Sequence, residues 1–100
     1  MNGIDGIESE YRELVSQGWT ISYIVAEFDK GELVDMAQCY EHLAKRQEKA
    51  DGPISINEIP RSWPKEYPNF WHPSPIAKAN LAKAGALVAL EWDRLHAILP

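Results

Sequence analysis

Six of the chain's seven prolines, Pro53, Pro60, Pro64, Pro68, Pro73 and Pro75, fall between residues 53 and 75. No helix interior survives that density, because each proline removes a backbone donor and clashes with the preceding turn. The same segment carries Trp63, Tyr67, Phe70 and Trp71. A solvated linker would not hold four large aromatics. The segment therefore reads as an irregular loop packed against something, and long packed loops are often functional.

What it packs against is helical. Ile4, Ile7, Tyr11, Leu14 and Val15 make one apolar stripe at helical spacing, and Gly18 just beyond it marks a stop. Leu33, Met36, Ala37, Tyr40, Leu43 and Ala44 make a second stripe. Asp29 and Glu32 stand at capping-box spacing before it, and Asp51-Gly52-Pro53 closes it. The third helix begins with Ser74 as N-cap and Pro75 at the first helical position. Its apolar face is Leu81, Ala84, Gly85, Val88, Trp92, Leu95 and Leu99, with Leu87 and Leu90 on a second side. Residues 19–28 are β-branched and aromatic, yet no second strand exists to pair with them, so a short helical turn or packed loop is expected. The expected fold is all-α: one domain over residues 1–100, a bundle of three to four helices at about 4–17, 30–50 and 75–98, with a Pro/aromatic-rich packed loop over 51–74.

Composition removes several functions. With 100 residues there is room for one small core. Ten Lys plus Arg against fifteen Asp plus Glu give −5, a poor balance for non-specific nucleic-acid binding. Cys39 is the only cysteine, so no internal disulfide and no Cys-rich zinc site can form. No apolar run reaches the ~18 residues of a membrane span. The first residues do not read as a secretory signal. A cytoplasmic protein of a bacterial or phage-infected cell is expected. The two-sided last helix points to a homo-oligomer.

Few residues could carry chemistry. Glu32 and Asp35, one turn apart at the edge of the buried face, can share a hard divalent cation through oxygen ligands. They can equally be ordinary acids at a helix N-terminus, where the dipole favours them. Glu91 could meet them across a helix–helix contact, or could instead pair with Arg94 or Lys83. Trp63 and Trp71 could stack a nucleobase with Lys83 near its phosphates, or could be a lid over the core. Cys39 reads as a small buried hydrophobe rather than a nucleophile.

Taken in order, several pieces resemble one family. They are an Arg12-bearing first helix ending in Gly18-Trp19-Thr20, then Gly31-Glu32-Leu33 with Ala37 and Tyr40. Next come Trp63-Pro64 and Phe70-Trp71-His72-Pro73, and last Lys83-Ala84-Gly85-Ala86-Leu87 followed by Glu91, Arg94 and Leu95. The chain resembles the small phage and prophage MazG-like nucleotide pyrophosphohydrolases of the dATP/dGTP diphosphohydrolase type, over nearly its whole length. The resemblance implies hydrolysis of a nucleoside triphosphate to the monophosphate and pyrophosphate, with Mg²⁺ or Mn²⁺ on acidic residues. By position it implies that Glu32 is a metal ligand with Glu91 as its partner, and that Lys83 and Arg12 are phosphate or structural contacts. Together with the spacing and stacking readings above, the expected site has Glu32 and Glu91 catalytic, Glu32, Asp35 and Glu91 on the metal, and Lys83, Arg12, Trp63 and Trp71 on the substrate. The chain departs from the family after Gly-Trp-Thr, where Ile21–Phe28 has no His and apolar groups replace polar ones. A degenerate centre is therefore the alternative: a small acidic phage protein that binds and inhibits a host protein, or a nucleotide binder without turnover.

Overall fold

The computed structural model describes residues 2–99; Met1 and Pro100 lie outside the described residues. Four α-helices follow one another: α1 (Gly3–Ser16), α2 (Ile21–Glu27), α3 (Glu32–Lys49) and α4 (Ala77–Ile98). Between α3 and α4 the only regular piece is a single 3₁₀ turn, Pro68–Phe70. The fold is all-α, with no strand among the described residues. Every helix packs on α4: α3 most extensively, then α1, then α2.

Local chemistry sets the helix ends. Asn2 and Asp5 form a reciprocal capping box on α1, with each side chain accepting from the other's backbone N–H. At the far end Gly18 takes a φ of 106°, where a side chain would be strained. Its N–H reaches Val15 O at 3.0 Å and that of Trp19 reaches Leu14 O at 3.0 Å, which closes a Schellman motif. This turn drops Trp19 into the core. Thr20 then caps α2 through Tyr23 N–H, so the ambiguous 19–28 stretch is a helix of two turns.

Two helix starts differ from expectation. Asp29 does not cap α3. Gly31 does, in the left-handed region with φ 81°, and the Glu32 carboxylate accepts from Lys30 N–H at 2.6 Å instead. α4 begins at Ala77 rather than at Pro75, because Asn80 reaches back and fixes the preceding loop. Its amide oxygen accepts from Ser74 N–H at 2.9 Å, and its NH₂ donates to Gln47 Oε1 and Ser74 O, both at 2.8 Å. Asn80 is fully buried and all of these groups are satisfied.

The face of α4 is also reversed. Asn80, Ala84, Leu87, Leu90, Glu91 and Arg94 point inward, whereas Leu81, Val88, Trp92, Leu95 and Leu99 are at or near the surface. The side thought secondary is the one that meets α3. The small residues of the expected face serve α1: a Cβ on Gly85 would stand 2.6 Å from Ile7 Cδ1, and one on Gly6 3.6 Å from Ala82 Cβ.

The proline loop is core. Tyr40 of α3 stacks on Trp71 at 4.8 Å and meets Trp63 edge-on at 5.7 Å, and the two tryptophans meet edge-on at 5.1 Å. The indole N–H of Trp63 donates to Tyr67 O at 2.7 Å, and that of Trp71 to Ile56 O at 3.2 Å. The loop thus closes on its own aromatics and satisfies their polar atoms. Burial pushes the Tyr40 phenol up to about 12, against the opposing bond from His72 N–H. Burial and then the bond to Glu27 push Tyr67 up to about 12 as well. Both folded values lie above the ordinary 10.0 of the unfolded chain. Their contribution is therefore complete below pH 10 and is lost as pH rises toward 12. The urea midpoint should be flat up to about pH 9.5 and then fall. Tyr40→Phe should fall less steeply over the same interval, and an unchanged slope would contradict the burial of this hydroxyl.

Candidate functional site

The corner between α2 and α3 faces the C-terminal third of α4. Phe28, fully buried, anchors the end of α2. Asp29, Lys30 and Gly31 then turn the chain so that Glu32 opens α3. Leu87 and Leu90 seat α4 against the core and carry Glu91 and Arg94 inward with them. Arg94 grips Glu91 with two parallel bonds, Nε to Oε1 at 2.6 Å and Nη2 to Oε2 at 3.1 Å. That fork geometry is the strong form of a carboxylate–guanidinium pair. The guanidinium is held above its usual range, first by the bond to Glu91, with burial opposing. The negative charges of Glu91, Glu32 and Asp29 add to the rise. Glu91 is thus the carboxylate that contacts the buried arginine, and Glu32 and Asp29 at the α2–α3 corner act on it through their charge alone.

The sequence candidates divide accordingly. Glu91 is bonded to Arg94, whereas Glu32 accepts from Lys30 N–H and reaches that arginine only through its charge. Asp35 does not join them. It is exposed on α3, where its charge reaches Cys39. Arg12 is exposed on α1 and pairs with Glu8. Lys83 lies two turns before Glu91 and sits 3.4 Å from Glu10. Trp63 and Trp71 are core residues whose ring faces meet Tyr40 and each other.

The donor set does not make a cage for a resident metal. Both Glu91 oxygens are engaged by Arg94. Among the described residues, no three His, Cys, Asp or Glu side chains are grouped closely enough to hold an ion. Nor does a nucleophile emerge. Cys39 is buried, with Sγ 3.3 Å from Ser62 Oγ, and burial pushes its thiol up despite that bond.

Two cavities lie elsewhere. A groove of about 680 Å³ runs between α3 and residues 55–62, with Cys39, Leu43, Ile56 and Trp71 inside and Arg46 and Arg61 among its lining residues. A pocket of about 340 Å³ between α1, α3 and the loop is lined by Glu10, Glu13, Trp19, Tyr40, Trp63 and Lys83, among others. The pocket unites Lys83 with Trp63, but neither cavity is lined by Glu32, Glu91 or Arg94.

Of the two roles the sequence left open for Glu91, metal ligand or partner of Arg94 or Lys83, the structure shows the pair with Arg94. Its signal was Glu91-x-x-Arg94 on the same side of α4 as Leu87 and Leu90, visible once that side is taken as the inner one. Compared with known proteins, the chain matches no family model, no curated protein and no solved structure.

Removing one partner of a buried ion pair strands the other. Arg94→Ala should therefore lower unfolding free energy by about 3 kcal/mol or more. The double variant Glu91→Leu/Arg94→Leu should lie well above the single one in thermal melts, since no charge is left unpaired. Equal loss in both would show that the pair is solvated.

Proposed function

We propose that the chain is a nucleotide pyrophosphohydrolase of the MazG-like kind, converting a deoxynucleoside triphosphate to the monophosphate and pyrophosphate. The observation that supports this reading is the acidic α2–α3 corner, Asp29 and Glu32, whose charge reaches the buried Glu91–Arg94 pair of α4. Arg94 pairs with Glu91, and the negative charge of Asp29 and Glu32 is what a cation would complement. A protein-only cage is not required for this. Magnesium dehydrates reluctantly and is commonly held by one or two carboxylates together with substrate phosphates. In this reading Mg²⁺ or Mn²⁺ arrives with the triphosphate as the substrate complex, and Glu32 is the acid that receives it. Glu32 suits that role better than Glu91, because Glu91 is committed to Arg94 through both oxygens. Lys83, Arg12 and Asp35 are held apart from this cluster and are given no part in it.

The second reading is a binding protein without turnover. It is favoured by the closed Glu91–Arg94 fork and by the commitment of Trp63 and Trp71 to the core. Purified protein incubated with each dNTP and Mg²⁺ or Mn²⁺ separates the two. Hydrolysis is expected to release monophosphate and pyrophosphate, with Glu32→Gln lowering the rate about 100-fold and Asp35→Asn leaving it nearly unchanged. No turnover of any dNTP would overturn the enzyme reading.

A further inference from the structure

Three helices each turn one i, i+4 pair toward the space between α1, α3 and the proline loop. The pairs are Glu10 and Leu14 of α1, Met36 and Tyr40 of α3, and Lys83 and Leu87 of α4. Trp19, dropped inward by the Gly18 turn, and Trp63 of the loop complete the walls. The result is the pocket of about 340 Å³, within the roughly 300–1,000 Å³ typical of small-molecule sites. It reaches the core, because Met36 at 0 %, Trp63 and Leu87 at 3 % and Tyr40 at 5 % exposure all line it. Its floor is apolar and aromatic. Its charged groups stand nearer the solvent, with Glu10 and Lys83 half-buried and Glu13 exposed.

We propose that this pocket binds a small organic monocation, an amine or quaternary ammonium on an apolar body of about one ring. The cation lies at Glu10 and Glu13, and the body lies on Met36, Tyr40 and Leu87. Charge selects the sign of the ligand. Two carboxylates, Glu10 and Glu13, stand against one ammonium, Lys83, so with His72 neutral the lining carries a net charge of −1. Lys83 is spent on Glu10, its Nζ 3.4 Å from Oε2, in a pair that is weak because both side chains are partly exposed. Glu13 accepts from the Gln17 amide, a neutral donor, at 3.0 Å and keeps its charge. An anion would have to take Lys83 from Glu10 with Glu13 on the same rim. The negative charge also reaches the floor: burial raises the Tyr40 phenol, and the charge of Glu10 adds to that rise.

The floor selects the apolar body, since a preformed apolar hollow gains by exchanging water for hydrocarbon. The larger groove beside α3 makes no such choice. Its exposed charges are of both signs, Lys45, Arg46 and Arg61 against Glu41 and Glu58. The proposal does not rest on the pyrophosphohydrolase reading, because the pocket is not lined by Glu32, Glu91 or Arg94.

The probe is 2-phenylethylamine, with 2-phenylethanol as its neutral counterpart and 3-phenylpropionate as the anion. The chain has two methionines, and Met36 lies on the pocket floor. In protein carrying ¹³C-methyl methionine, the Met36 signal should move saturably with the amine, at a Kd below about 1 mM. The alcohol should bind about tenfold more weakly, because the charge-assisted bond is lost, and the propionate more weakly still. Glu13→Gln, at an exposed position, should weaken the amine several-fold. Glu10→Gln/Glu13→Gln should bring the amine down to the alcohol or below it, with the alcohol's affinity and the circular dichroism nearly unchanged. A Met36 signal that does not respond up to about 10 mM amine would overturn the proposal. Equal affinity for amine and alcohol, tighter binding of the propionate, or a Glu13→Gln chain with undiminished preference for the amine would overturn it too.

Discussion

The structure depends on a charge that should be hard to bury. Arg94 lies at the inner face of α4 with only a small fraction of its surface exposed. A desolvated guanidinium is tolerable only where carboxylates replace its water. Glu91 does so from one turn away, and the charges of Glu32 and Asp29 at the α2–α3 corner favour the cation without a direct bond. The requirement fixes more than one ion pair. Through its charge Arg94 also couples the acidic corner between α2 and α3 to the far third of α4, next to the packing of Leu87 and Leu90.

α4 carries the consequences. A helix that meets α3 on one side and α1 on another, with a third side left apolar, has no polar stripe to advertise its inner face. This is why its orientation was not legible. The widest apolar arc, Leu81 to Leu99, was the outer one, while the true inner arc contains Asn80, Glu91 and Arg94. Polar residues of this kind do not mark a helix's inner side in sequence. They are buried because each finds partners that lie far away in the chain or on the same face: Asn80 with Gln47 and Ser74, and Arg94 with Glu91. By contrast α3 has a polar side and a long apolar stripe, and every member of that stripe is buried as expected. Gly18 was legible too, because only a left-handed turn explains a glycine placed directly after an apolar stripe.

The site was legible in part. Spacing brought Glu32 to the edge of the core and suggested that Glu91 could approach it across a helix contact. It could not show that the capping box would fail at Asp29, since that depends on Gly31 adopting a positive φ. The aromatic loop was legible as packed. Its tryptophans looked available to a nucleobase only because Tyr40, the ring that fills the space between them, lies on another element. Satisfied indole N–H groups and ring-to-ring packing make this loop a wall of the core and not a free platform.

The most direct measurement is the nitrogen-detected NMR signal of the Arg94 guanidinium. In the free protein its Nε–H should exchange slowly with water, far more slowly than that of exposed Arg12 or Arg46. On titration with Mg²⁺ and a non-hydrolysable deoxynucleoside triphosphate, the Arg94 signal should shift, and Glu32→Gln should weaken the response. A rapidly exchanging Arg94, or one that ignores the Mg²⁺–nucleotide complex at saturating concentration, would contradict the account of a buried Glu91–Arg94 pair beside the proposed nucleotide site.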